Sequence, residues 1–162
     1  MPLGGRVGVG ARPPAPAGAG DDAGPEKAMV STDTRNELEE YLGQVPSWME
    51  GLSEPAADQS WAIMRDLQLG ETTLEAREKA LVGLGAAAAM GCPYCIRFHT
   101  AEARLDGATD EQVTEATNVA ALVRYFSTVL HGAEVDVDAF AAETAEIVEH
   151  IENQQATAAG DD

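Results

Sequence analysis

The chain has 162 residues, of which 44% are apolar and only 5% are aromatic, and its formal net charge is −18. This length and apolar content are enough for one domain with a buried core, and they exclude a chain that is disordered throughout. The 28 acidic residues outnumber the 10 basic ones, which disfavours binding to nucleic-acid phosphates and to anionic membranes.

The first 30 residues are rich in glycine, proline and alanine and have neither a helical nor a strand period. We expect this segment to be disordered. Met29 begins the stretch MVSTDTRNELEEYL, which resembles an ordinary protein start. Residues 1–30 are therefore expected to be a dispensable extension or an upstream mis-start, and the intact mass of the natural protein would decide between the two.

Residues 31–155 predict one helical domain, and residues 156–162 predict a disordered acidic tail. Glycine, proline and capping residues mark the ends of the helices. The predicted helical segments are about 33–43, a short helix or turn after Pro46, and then about 54–70, 73–90, 92–105, 109–131 and 137–154. We find no strand-like alternation, internal repeat or glycine-rich phosphate loop. The predicted fold class is an all-α bundle.

Apolar spacing assigns a buried face to several of these helices. The second half of the 73–90 segment is small and apolar on all sides, which predicts a central helix against which the others pack. Glutamates at 143, 146, 149 and 152 mark the outer face of the last helix. The side chains expected to face inward are Trp61, Met64, Leu67, Val113, Ala116, Ala120, Val123, Phe126, Phe140, Thr144, Ile147, Val148 and Ile151.

The sequence contains no candidate for a membrane span. Its longest small apolar run, ALVGLGAAAAM at 80–90, has about half the length that a span needs. The N-terminus also lacks the apolar core and cleavage site of a signal peptide. We therefore expect a cytoplasmic protein. Because salt screens the repulsion between like charges, the acidic composition favours a halophilic source, with an ordinary acidic protein as the alternative.

The stretch GCPYCIRFH, residues 91–99, contains the two cysteines of the chain. If Gly91 ends one helix, Cys92 caps the next and Pro93 takes its first position, where proline is favoured. Cys95 then lies in the first turn, and His99 follows one turn later on the same face. The unpaired N–H groups at the helix start and the nearby imidazole both favour a thiolate. The spacing therefore predicts a reactive dithiol.

Three other uses of these cysteines compete with the redox pair. A structural disulfide across so short a loop would contribute only about 2 kcal/mol. A zinc site would require Cys92 and His99, about 10 Å apart along the axis of one helix, to approach the metal within about 2.3 Å. Two inert buried cysteines are the third alternative. The residues favour the redox pair, and no metal is expected.

The block from residue 74 to residue 123 resembles the carboxymuconolactone decarboxylase family, and within it the AhpD-like alkylhydroperoxidases. The shared pattern is CxxCxxxH after an alanine-rich helix, followed by a turn of the type GATDE. The resemblance implies an AhpD-like helical fold that assembles as a homotrimer or hexamer. It also implies a thiol-dependent hydroperoxidase or disulfide reductase of antioxidant defence, with a hydroperoxide as substrate and a thiol or disulfide reductant protein as partner. No cofactor other than a redox-active disulfide is expected.

The resemblance also implies roles for individual residues. Cys95 attacks the hydroperoxide and passes through a sulfenic acid, and Cys92 resolves it as the disulfide between the two. His99 assists proton transfer, in agreement with its place one turn after Cys95. A thioredoxin-like rule would instead make Cys92 the nucleophile. Tyr94 either donates a hydrogen bond to the substrate or packs against the protein.

The sequence departs from the AhpD-like pattern at Ala80, twelve residues before Cys92, where these enzymes typically carry a proton-relay glutamate. Glu78 lies about 200° further around an ideal helix and is more simply a solvated residue. Glu102 or Glu115 could supply the carboxylate instead. The departure keeps two other functions open, namely lactone decarboxylation without thiols and a non-enzymatic redox sensor or oligomeric module.

Overall fold

The computed structural model describes residues 30–159, so the segment predicted to be disordered lies almost entirely outside the described residues. Within 30–159 the chain is helical and has no strand, which confirms the all-α fold class. A single 3₁₀ turn, Met49–Gly51, follows the first helix, and a π-helical segment, Met64–Leu69, extends the second. The α-helices are α1 (Thr32–Leu42), α2 (Glu54–Ile63), α3 (Ala76–Met90), α4 (Pro93–Leu105), α5 (Asp110–Gly132) and α6 (Val137–Ala159).

The chain divides into two compact units, with the boundary after Asp58. In the first unit, Ser31 caps α1 by accepting a hydrogen bond from the Thr34 N–H at 3.3 Å. The Ser31 hydroxyl donates in turn to Asp58 at 2.9 Å. Gly43 ends the helix in the left-handed conformation, at φ 75°, as the sequence predicts. The buried apolar side chains of this unit are Val30, Leu38, Met49 and Ala57.

In the second unit, α3 packs against both α4 and α5. Its small side chains let the other helices approach closely, which confirms the prediction of a central helix. The core is a cluster of five buried residues, with Leu81, Ile96 and Ala116 packed around it. The five are Ala80, Leu84, Ala103, Ala108 and Val113.

Local capping explains where these helices begin and end. The Glu78 carboxylate accepts a hydrogen bond from the Glu75 N–H at 2.9 Å and closes a capping box at the start of α3. Gly91 ends α3 at φ 71°. Thr109 and Gln112 form a second capping box, at the start of α5. The reciprocal hydrogen bonds satisfy backbone donors that a helix start leaves without partners.

Several side chains that were expected to face inward are exposed in the single chain. Leu67 is 58% exposed, because the π-helical turn changes the spacing on which that prediction rested. Val123 and Phe126 of α5 are also exposed. Every described side chain of α6 is exposed, and α6 has little packing against the other helices. The face of α6 that was expected to point inward is therefore not covered by another helix.

The C-terminal boundary also differs from its prediction. Helix α6 continues to Ala159, through residues 156–159 that were assigned to a disordered tail. Uninterrupted alanine, glutamine and threonine allow the helix to propagate there. None of the helices described between residues 30 and 159 is long and apolar enough to cross a membrane.

Candidate active site

The two cysteines lie at the junction of α3 and α4. Cys92 is the N-cap of α4 with extended backbone angles, and Pro93 follows at the first helical position. The Cys92 sulfur accepts a hydrogen bond from the Cys95 N–H at 3.3 Å. The two residues are joined by a disulfide, with their Cα atoms 5.4 Å apart. The predicted helix start is therefore confirmed, and both sulfurs lie at the positive end of the helix dipole.

His99 lies one turn after Cys95 and pairs with a carboxylate of its own helix. The His99 Nδ1 is 2.9 Å from Oε2 of Glu102, and the two side chains are only 19% and 10% exposed. Gln68, in the π-helical segment, donates from Nε2 to the same Glu102 oxygen at 2.9 Å. Three polar side chains from two elements thus form one hydrogen-bonded chain. The His99 ring also packs directly over the backbone of Gly83 in α3.

A cavity of about 420 Å³ opens beside this chain of side chains. Lys79 borders it and is itself buried, with Nζ donating to the Gly70 carbonyl oxygen at 2.5 Å. The lining combines an imidazole, an amide, an amine and two hydroxyl groups with apolar walls. The lining residues are Leu67, Gln68, Thr72, Thr73, Leu74, Lys79, Val82, Gly83 and His99. Such a cavity suits a small, partly apolar substrate that needs a proton acceptor at one side.

The other candidate residues named from the sequence lie apart from this arrangement. Glu78 is exposed and caps its own helix, so the carboxylate placed against His99 is Glu102. Tyr94 is 84% exposed. Glu115 is exposed and borders a different groove, between α3 and α5. Ala80 is fully buried in the core cluster, where a glutamate would have to displace apolar neighbours.

Sequence reasoning missed three contributors to the site. Gln68 comes from an element far away in the chain and could not be linked to Glu102 by helical spacing. Gly83 is an ordinary small residue until the His99 ring is placed on it. Lys79 was given no role at the site from the sequence, yet it is buried and borders the cavity. The one feature of the sequence that could have indicated this burial is the position of Lys79 beside Ala80 in a largely apolar helix.

No group of three or more His, Cys, Asp or Glu side chains in residues 30–159 is placed to hold a metal ion.

Comparison with known proteins places these features in a family. The sequence profile of the Carboxymuconolactone decarboxylase family matches residues 55–138, which include the whole of α3 and α4. The chain belongs to the carboxymuconolactone decarboxylase family.

One curated relative and one solved structure are similar to this family member. Uncharacterized protein 4 in cox locus of Paracoccus denitrificans is 34% identical over 74 residues, which span 46% of this chain and 67% of the relative. The crystal structure of the alkylhydroperoxidase AhpD core from Rhodospirillum rubrum aligns with a TM-score of 0.58 at 24% identity. That alignment covers 67% of this chain and 83% of that one. This likeness shows that the fold is AhpD-like.

Proposed function

We propose that this member of the carboxymuconolactone decarboxylase family is a thiol-dependent hydroperoxidase that uses Cys92 and Cys95 as its redox pair. One observation carries the proposal. The two cysteines form a disulfide at a helix start, one turn before a histidine that borders a cavity. A CxxC pair at a helix N-terminus has the features of a reactive dithiol. The AhpD-like fold is consistent with this activity.

The proposed reaction has two chemical steps and a recycling step. In the reduced protein, His99 accepts the proton of the Cys95 thiol, and the thiolate attacks the terminal oxygen of the hydroperoxide. The O–O bond breaks, Cys95 becomes a sulfenic acid, and the alkoxide leaves as an alcohol after receiving the proton from His99. The Cys92 thiol then attacks the Cys95 sulfur, forming the disulfide and releasing water. A dithiol reductant returns the pair to its reduced state by exchange.

The test is consumption of an alkyl hydroperoxide with dithiothreitol as reductant, measured for the wild type, Cys95→Ser and Cys92→Ser. We expect Cys95→Ser to lose activity by about 100-fold or more, because the thiol that attacks the hydroperoxide is removed. Cys92→Ser should lose turnover yet still form a sulfenic acid that dimedone traps. Equal rates in the three proteins would overturn the proposal. Trapping on Cys92 in Cys95→Ser would instead make Cys92 the attacking residue.

A second candidate function is the decarboxylation of a cyclic lactone, which gives the family its name. The pairing of His99 with Glu102 beside the cavity favours it, since acid–base chemistry of this kind needs no thiol. Lactone turnover that survives in the double variant Cys92→Ser/Cys95→Ser would support this candidate over the hydroperoxidase.

We also propose that the protein works as a homo-oligomer. The exposed apolar stripe of α6 supports this, since Phe140, Ile147, Val148 and Ile151 face solvent in the single chain. An isolated helix of 23 residues with such a stripe gains most of its stability from packing against a partner.

A further inference from the structure

Two hydrogen-bonding groups converge on one oxygen of Glu102. His99 Nδ1 and Gln68 Nε2 each lie 2.9 Å from its Oε2. The amide nitrogen of Gln68 can only donate, so this oxygen acts as an acceptor. An ionised carboxylate has no proton to offer, and the Nδ1 atom facing it must therefore carry one. In neutral His99, this leaves Nε2 as the ring nitrogen with a free lone pair.

From this geometry we infer that Glu102 is the positioning residue that fixes the tautomer and orientation of His99, with Gln68 holding the carboxylate in place. The inference rests on the proposed function for its catalytic consequence, because the free Nε2 is what would accept the thiol proton of Cys95. The tautomer itself is a property of the folded protein and can be measured without any substrate.

Burial makes the pairing a specific one. The Glu102 side chain is 10% exposed and His99 is 19% exposed, so water competes weakly for these hydrogen bonds. The backbone of Gly83 closes one side of the imidazole. A ring enclosed in this way, with one nitrogen bound, has little freedom to flip. The arrangement resembles the general pattern in which a carboxylate orients a catalytic histidine.

Gln68 reaches Glu102 from an unusual backbone segment. It lies in the π-helical turn Met64–Leu69, a geometry that is rare and concentrated at functional sites. The segment is tied down where it ends, since the buried Lys79 amine binds the Gly70 carbonyl. The turn therefore presents the amide of Gln68 in a fixed position.

The placement of Glu102 also bears on the alanine at position 80. Ala80 and Ala103 belong to the same buried cluster, and Glu102 precedes Ala103 in α4. A carboxylate carried on α4 therefore reaches the histidine without a second carboxylate in the core of α3. In this chain the carboxylate partner of His99 comes from three residues along the same helix.

The experiment compares the wild type with Glu102→Gln and Gln68→Ala in the reduced, full-length protein. The ¹⁵N chemical shifts of the His99 imidazole report which nitrogen carries the proton. We expect Nδ1–H with bare Nε2 in the wild type. In Glu102→Gln we expect a mixture of tautomers, because the new amide can either donate to the imidazole or accept from it. In Gln68→Ala we expect a smaller change in the imidazole ¹⁵N shifts. The second-order rate constant with hydroperoxide should fall roughly 10- to 100-fold in Glu102→Gln.

Glu149→Gln serves as the matched control, since it removes the same charge from an exposed position on α6. It should leave both the imidazole shifts and the rate unchanged. Unchanged imidazole shifts in Glu102→Gln would overturn the inference, even if thermal stability and rate had both fallen. A Cys95→Ser variant with the full peroxidase activity of the wild type would refute the proposed function. The imidazole shifts would still decide whether Glu102 positions His99.

Discussion

Gly83 in α3 provides the space that the imidazole of His99 occupies. A Cβ built on Gly83 would lie 2.6 Å from both Cε1 and Nδ1 of His99 and 2.8 Å from Nε2. Real side chains do not tolerate such distances, so the ring can stay in place only while residue 83 has no side chain. A glycine within a helix, which costs stability, is thereby explained by the residue that lies against it.

We predict that Gly83→Ala keeps the fold but displaces His99 from Glu102. The ring is the end of a rotatable side chain and can move aside, so the cost should fall on activity rather than on folding. The rate constant with hydroperoxide should drop at least about tenfold, since small displacements of a catalytic group have large effects.

Gly85→Ala is the matched control on the same helix. The nearest atom to a Cβ at that position is 3.9 Å away, which is ordinary contact. We expect full activity and a gain of about 0.5–1 kcal/mol in the free energy of unfolding, because alanine is the better helix former. Equal loss of activity in Gly83→Ala and Gly85→Ala would contradict the role assigned to the contact with His99.

Lys79 provides a second prediction, on stability. Its amine binds the Gly70 carbonyl, and Lys79→Met keeps the aliphatic stem while removing the donor. The free energy of unfolding should fall by about 1–3 kcal/mol, the usual cost of leaving such a partly buried acceptor unpaired. Arg77→Met, at an exposed position two residues earlier, is the control and should change the free energy of unfolding by no more than about 0.5 kcal/mol. Urea denaturation of both variants measures the difference.

The helical fold could be predicted from the sequence because its signals are local. Ser31, Gly43, Gly91 and the Thr109 capping box each mark a helix end through contacts within a few residues. The π-helical turn was not predictable in this way, since one extra residue per turn leaves composition unchanged. The exposure of the Leu67 side chain follows from that turn, because the turn shifts the residues within and after it around the helix axis.

The site was only partly predictable, for a related reason. Cys92, Cys95 and His99 share one helix, so their common face follows from spacing alone. Glu102 also lies on that helix and was one of two substitutes considered for the missing glutamate. Its pairing with Gln68, however, depends on tertiary packing between elements 34 residues apart, which helical periodicity does not encode.

A third prediction concerns the pH dependence of the N-terminal unit. Hydrogen bonds from the side chains of Thr34 and Ser31 hold the pKa of Asp58 below its usual value of 3.8. A carboxyl group with a lowered pKa stabilises the folded state at pH values above its unfolded pKa. That stabilisation is lost as the pH falls through the lowered folded value.

Asp58→Asn should therefore destabilise the first unit at pH 7 and at pH 5, and the difference from the wild type should shrink as the pH falls below about 4. Denaturant unfolding followed by circular dichroism at each pH provides the measurement. Glu40→Gln, at an exposed position in α1, is the control for the loss of one negative charge. If Asp58→Asn lowered the free energy of unfolding by the same amount at pH 7 and at pH 2.5, the lowered pKa of Asp58 would be contradicted.

The fourth prediction starts from two apolar surfaces that the single chain leaves uncovered. One is the stripe of α6 that contains Phe140, Ile147 and Ile151. The other is a groove of about 590 Å³ between α3 and α5, whose walls are mostly apolar and include Val82 and Val123. Apolar patches of this extent on a soluble surface usually mark contact with another chain. We expect the partner to be a second copy of this chain, because each copy has both apolar surfaces and can pack them against those of the other.

We predict that the wild type is oligomeric in solution and that Phe140→Glu weakens the association, because it places a charge in the apolar stripe of an already acidic helix. Sedimentation velocity should show a shift toward the monomer at micromolar concentration. Asn153→Glu adds the same charge to α6 outside the stripe and should leave the distribution unchanged. A wild type that sediments as a monomer at all concentrations would rule out the association. If Phe140→Glu and Asn153→Glu dissociated to the same extent, the effect would come from net charge and not from the apolar stripe.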